Sequence, residues 1–186
     1  MPKDDARIQL LSRVARAGGV SASSPSSILA LSAAAYGARP SDEATVPTGF
    51  DPYAVALFET IVEGAYVVAI ADGHFDDAER KAFEKVVVGA CGGAVTQKQI
   101  QALLADLDDQ LKEDGIERRI STMALSVHKR EQAMEVLRIA ALLADASEGV
   151  SDVERSTLSK IAAACRLEPG DVDTAIQDVR EALAKP

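Results

Sequence analysis

The strongest constraint on this chain is a segment written twice. "ADGHFDDAERKAF" (71–83) and "ADASEGVSDVERSTL" (144–158) each place a run of carboxylates between two apolar stretches. At one constant offset Glu79 aligns with Glu154, Arg80 with Arg155, Phe83 with Leu158, Lys85 with Lys160 and Val86 with Ile161. An internal duplication explains the match economically, and duplicated units of this size usually pack about a pseudo-twofold axis.

The flanking periodicity is helical. Leu57, Phe58, Ile61, Val62, Ala65, Val68 and Ala69 form one broad apolar face leading into the first turn, and Pro52 suits a first helical position. After the turn, Phe83, Val86, Val87 and Ala90 continue to Cys91, where Gly92 and Gly93 end the helix. Thr96 and Gln99 make a capping-box pair before Ile100, Leu103, Leu104, Leu107 and Leu111. The same rhythm recurs later: Ala133, Val136, Leu137, Ala140 and Leu143 precede the second turn. Leu158, Ile161 and Ala162 follow it, and a last helix opens at Pro169 with Val172, Ala175, Ile176, Val179 and Leu183. The expected fold class is therefore all-α: about seven helices in two pseudo-symmetric three-helix repeats, plus an N-terminal arm. Repeat one covers about 52–114, a connecting helix 116–128, and repeat two about 129–184, within a domain spanning 51–186.

Residues 1–50 read differently. "DDARIQLLSRVARAGG" puts Ile8, Leu11, Val14 and Ala15 on one face and stops at Gly18 and Gly19, and a second short helix starts near Pro25. "ARPSDEATVPTGF" is a linker without periodicity. This part is expected to be an arm and linker, partly helical or disordered, with a helix packing on the main domain as one outcome.

Composition narrows the function. Only 4% of residues are aromatic against 47% hydrophobic, so the core must be built from Ala, Val, Leu and Ile, which favours close-packed helices. Residues 1–50 hold five Lys or Arg against four acids, so the rest of the chain carries more than the whole net charge of −9. Such a surface repels phosphate backbones and attracts cations or basic partners. A protein partner is expected, and nucleic acid is not. Two cysteines and two histidines without a CxxC pair cannot furnish an ordinary structural zinc site. No run of roughly 18 uncharged apolar residues suggests a membrane span, and the cytoplasm is the expected compartment. "GACGGAV" has glycines but lacks the Lys and Ser or Thr of a phosphate loop, and no nucleophile with a neighbouring base stands out, so an enzyme is not expected.

The acidic turns carry two readings. Asp76 with Glu79, and Ser151 with Glu154, each have the spacing of a capping box, which satisfies orphan helix N–H groups at about 1 kcal/mol. Capping leaves Asp72 and Asp145 unexplained, since both close the preceding helix where its dipole disfavours an anion. A bound cation would explain them. One turn offers only a few oxygens, whereas calcium takes six to eight, so a good site needs several waters or both turns together. Asp145, Ser147 and Gly149 open like an EF-hand loop, but the later positions do not follow that pattern. His74 is a further possible ligand or a solvated turn residue. Cys91 and Cys165 are candidates for thiol chemistry, or small core residues beside alanines.

The pairing of "AxADGxxDxxE" at Ala69 to Glu79 with "LADxSxGVSxxE" at Leu143 to Glu154 resembles the TerB-like domain, named for bacterial tellurite-resistance proteins. The resemblance covers roughly residues 53–184. It implies an all-α domain whose acidic positions hold a divalent cation, calcium being the expected one, and a role in tellurite resistance or stress response. The positions carried over are Asp72, Asp76 and Glu79, with Asp145, Asp152 and Glu154. The alternatives are an interaction scaffold whose turns are only helix caps, and thiol-dependent tellurite or redox chemistry at Cys91 and Cys165.

Overall fold

The computed structural model describes residues 3–19, 25–39, 51–73, 75–145 and 149–185. Among these residues the architecture is all-helical, with nine α-helices: α1 (Lys3–Arg16), α2 (Ile28–Gly37), α3 (Pro52–Ala69), α4 (Asp77–Ala90), α5 (Gln97–Asp114), α6 (Ile116–Met123), α7 (Arg130–Ala144), α8 (Asp152–Ala164) and α9 (Gly170–Ala184). A short 3-10 turn at Ala124–Ser126 joins α6 to α7.

The bundle is organised around α3 and α7, the helices that enter the two acidic turns. On α3 every residue from Thr60 to Val68 is buried, and on α7 every residue from Glu135 to Ala144 is buried as well. A helix covered on every side over more than two turns belongs in the middle of a core. α3 is long and apolar enough to cross a membrane, yet 67% of that stretch is buried inside the bundle, and it carries Glu59 and Glu63. Close approach to α7 is set at Gly64, where an added Cβ would lie 2.5 Å from Val136 Cγ1 and 3.2 Å from Met123 Cε. Glycine in a helix interior costs about 1 kcal/mol relative to alanine. The packing it permits here explains its presence.

Local signals start and stop the helices. Asp51 caps α3, with its carboxylate accepting from the N–H groups of Tyr53 (3.0 Å) and Ala54 (3.2 Å). Thr96 and Gln99 form the expected capping box on α5. Buried charges inside the bundle are paired: Arg119 Nε donates to Glu63 Oε1 at 2.7 Å. Burial pushes the Glu63 carboxyl above its ordinary range, while the bond from Arg119 pulls it back down.

Residues 1–50, read from sequence as an arm and linker, supply α1 and α2. Leu11, Val14, Leu29, Ala33 and Tyr36 belong to the same core as α3 and α7. α1 lies along α4 and α2 along α3, where Tyr36 stacks on Phe58 at 4.5 Å between ring centroids. The linker at 40–50 falls outside the described residues.

Two adjacent charges on α7 fasten both leading helices. Glu135 and Arg138 are each 6% exposed, and Arg138 Nε donates to Glu135 Oε2 at 2.9 Å. Arg138 also donates to the carbonyls of Val14 (3.1 Å) and Ala15 (3.3 Å) at the end of α1. Glu135 Oε1 accepts the N–H of Leu29 (3.2 Å) in the first turn of α2. Each charge therefore meets the helix terminus of opposite polarity. Removing one member of such a buried pair leaves the other uncompensated, so Arg138→Met is expected to lower the unfolding free energy by about 3–5 kcal/mol. Glu135→Gln, which retains an acceptor for Leu29, should cost less. Denaturant midpoints of the two variants and the wild type check both statements.

Candidate functional site

The first acidic turn is held from inside. α3 ends at Ala69 with Ile70 as its C-cap, and the N–H of Gly73 donates to the Ile70 carbonyl at 2.9 Å. Gly73 and, in the second turn, Gly149 both have positive φ, 80° and 96°, which glycine adopts without steric cost. Phe75 packs edge-on against Tyr66 (5.5 Å) and Phe83 (6.0 Å), so one aromatic side chain ties the turn to the core. Tyr66 in turn donates to Asp108 Oδ1, and Arg80 Nη1 donates to Asp108 Oδ2 at 2.8 Å. Burial, with the Asp108 bond and charge adding to it, pushes the Tyr66 hydroxyl up to about 12.

Asp76 then opens α4. Its Oδ1 accepts from the N–H groups of Ala78 and Glu79, both at 2.8 Å, while Glu79 Oε2 accepts from the Asp76 N–H at 2.9 Å. The second turn repeats this with serine: Ser151 Oγ accepts from the Glu154 N–H at 3.2 Å, and Glu154 Oε2 accepts from the Ser151 N–H at 2.8 Å. Both capping boxes therefore form. Arg80 and Arg155, aligned in the sequence, also behave alike: each binds an aspartate of the next helix, Asp108 on α5 and Asp173 on α9.

The six expected metal ligands do not gather at one point. Glu79 and Glu154 line a single cavity of about 100 Å³ whose other walls are Ala69, Phe75, Ala82, Phe83, Val86 and Leu143. Asp152 borders a separate cavity of about 340 Å³ together with Ala71, Glu117, Val153 and Lys160. Asp76 is engaged by its own helix terminus, and Asp72 is exposed in the turn. Asp145 closes α7, and its backbone carbonyl accepts from Arg7 Nη2 at 2.8 Å. Among the described residues no group of three or more His, Cys, Asp or Glu is placed to hold a metal ion. With one oxygen of Glu79 and of Glu154 occupied by its capping box, the donors that the described residues bring to the shared cavity fall short of a calcium sphere of six to eight oxygens. His74, Ser147 and Glu148 lie outside the described residues.

Arg7 is the residue at the second turn that sequence reasoning missed. The pattern of Asp145 at a helix C-terminus called for a compensating positive charge, and here a guanidinium from α1 stands at that terminus. Periodicity shows that Arg7 lies on a helix but not which helix end it will meet.

The cysteines are poor nucleophiles. Cys91 is buried and Cys165 half-buried, and burial pushes the thiols up to about 12 and about 11 respectively. His128 stacks on Tyr53 at 5.5 Å. No family model, curated protein or solved structure matches the chain.

Two outcomes are expected. At about pH 8 both native thiols should react with Ellman's reagent at least about a hundredfold more slowly than in concentrated guanidinium, because the thiolate is the reacting form. Ser151→Ala should cost about 1 kcal/mol of stability, equally with and without calcium, as a lost cap requires. Thermal denaturation in the presence and absence of the ion measures the second.

Proposed function

We propose that this chain is a non-enzymatic binding module of TerB-like type, in which the two acidic turns act together on a positively charged protein partner. The observation that carries this reading is that Glu79 and Glu154, one from each turn, line a single cavity with apolar walls. Both carboxylates keep one oxygen in a capping box, which anchors each side chain and leaves its other oxygen outside that bond. The raised thiols speak against the thiol-dependent alternative.

The second reading, divalent-cation binding with a role in tellurite resistance or stress response, draws on the same convergence, since a cation site needs both turns. Two carboxylate oxygens would leave most of the coordination to water, which corresponds to dissociation constants weaker than about 0.1 mM.

One pair of titrations tests the proposal. Oligolysine added to the full chain is expected to bind at low ionic strength and to weaken as salt rises, as an interaction of exposed charges does. Absence of binding at low salt would overturn the proposal. Calcium should give no isotherm tighter than about 0.1 mM. A tight isotherm abolished in the Asp72→Ala/Asp145→Ala double variant would establish the cation reading in its place.

A further inference from the structure

The shape and chemistry of the cavity between the turns narrow the partner further. Small-molecule sites usually enclose about 300–1,000 Å³, whereas this one measures about 100 Å³. A cavity this much smaller than a ligand site suits one side chain inserted from a partner. Its walls include Phe75, Phe83, Val86 and Leu143, and among the described residues its charged members, Glu79 and Glu154, are both negative. A hydrated metal ion gains nothing from aromatic and aliphatic walls and would have to shed water that two carboxylates cannot replace. A cation on a hydrocarbon stem satisfies both parts: lysine and arginine bury their methylenes along apolar surface and keep the charged head at a polar rim.

We infer that this cavity seats one lysine or arginine side chain of a partner protein, its stem against Phe75, Phe83, Val86 and Leu143 and its head between Glu79 and Glu154. The inference rests on the proposed function, that of a module for a positively charged protein, and adds the point of insertion. Oppositely charged groups arranged in this way contribute selectivity as well as attraction. The apolar walls require a stem, so a bare cation is an inferior ligand.

The test uses the full chain, isotopically labelled, with its amide resonances followed as Nα-acetyl-lysine methylamide is added. Saturable shifts confined to the N-terminal turns of α4 and α8 and to the neighbourhood of Phe83 are expected. The arginine counterpart should reproduce them, and the norleucine counterpart, which has a stem but no charge, should not. Glu79→Gln/Glu154→Gln keeps an acceptor in each capping box and should weaken the lysine probe about fivefold or more. Ala82→Phe, which fills the cavity and leaves both carboxylates, should abolish its shifts while oligolysine still binds through the remaining acidic surface. Equal shifts from the norleucine probe, or shifts unaffected by Ala82→Phe, would overturn the inference. Oligolysine binding without lysine-probe shifts would overturn the inference alone and leave the proposed function standing. Failure of both probes would remove both. Calcium that alone moves the same amides and displaces the lysine probe would replace the inferred side chain with a metal ion.

Discussion

The Glu135–Arg138 pair is the interaction on which the arrangement of the bundle depends. Its two charges sit one helical turn apart on α7, both out of water, and each has a helix terminus as a further partner. A buried ion pair is weak evidence of net stability, because the cost of desolvation offsets much of the attraction. What it supplies here is location. The carbonyl end of α1 and the amide end of α2 are both met by these two side chains, beside the Ser27 cap of α2, so the pair marks where the leading helices dock.

Opposed polarity at helix ends recurs across the molecule. Arg16 donates to the carbonyls of Gly89 (2.8 Å) and Ala90 (3.2 Å) at the end of α4, and Arg7 does the same for the end of α7. Acids lie in the first turns of α4, α8 and α9. At Glu79 and Glu154 the negative charge of the acidic turns is thus divided between one oxygen that a cap uses and one outside it, on side chains that line the cleft. That division weakens the case for a dedicated metal centre without removing the electronegative character that a ligand would meet. The proposed module uses what capping leaves over.

How much of this was legible in the sequence depends on whether the signal was local. Helix starts at Asp51, Asp76, Thr96 and Ser151 were readable because a cap and the N–H groups it serves lie within three residues. The all-helical class followed from apolar spacing over whole helices. Contacts between distant segments were not readable: nothing near Arg7 in the chain announces Asp145, and nothing near Leu29 announces Glu135. The same limit applied to the site. Six acids at matched positions gave an expectation of shared ligation, but the side-chain directions that send Glu79 and Glu154 to one cavity and Asp152 to another depend on how α4 and α8 are packed, which no spacing encodes. The structural weight of the first fifty residues was hidden for a related reason: serine and alanine are common in linkers and equally common where helices press close, as Ser12 does against Gly89.

The docking of α1 and α2 has a practical corollary. Composition shifts most visibly near residue 51, the natural place to begin a shortened protein. A fragment started there would bare the flanks of α3 and α4, strand Arg138 and Glu135 beside an empty trough, and leave the carbonyls that close α4 and α7 without their guanidinium lids. The first two helices behave as a keystone, and their removal would turn a closed bundle into a sticky remnant.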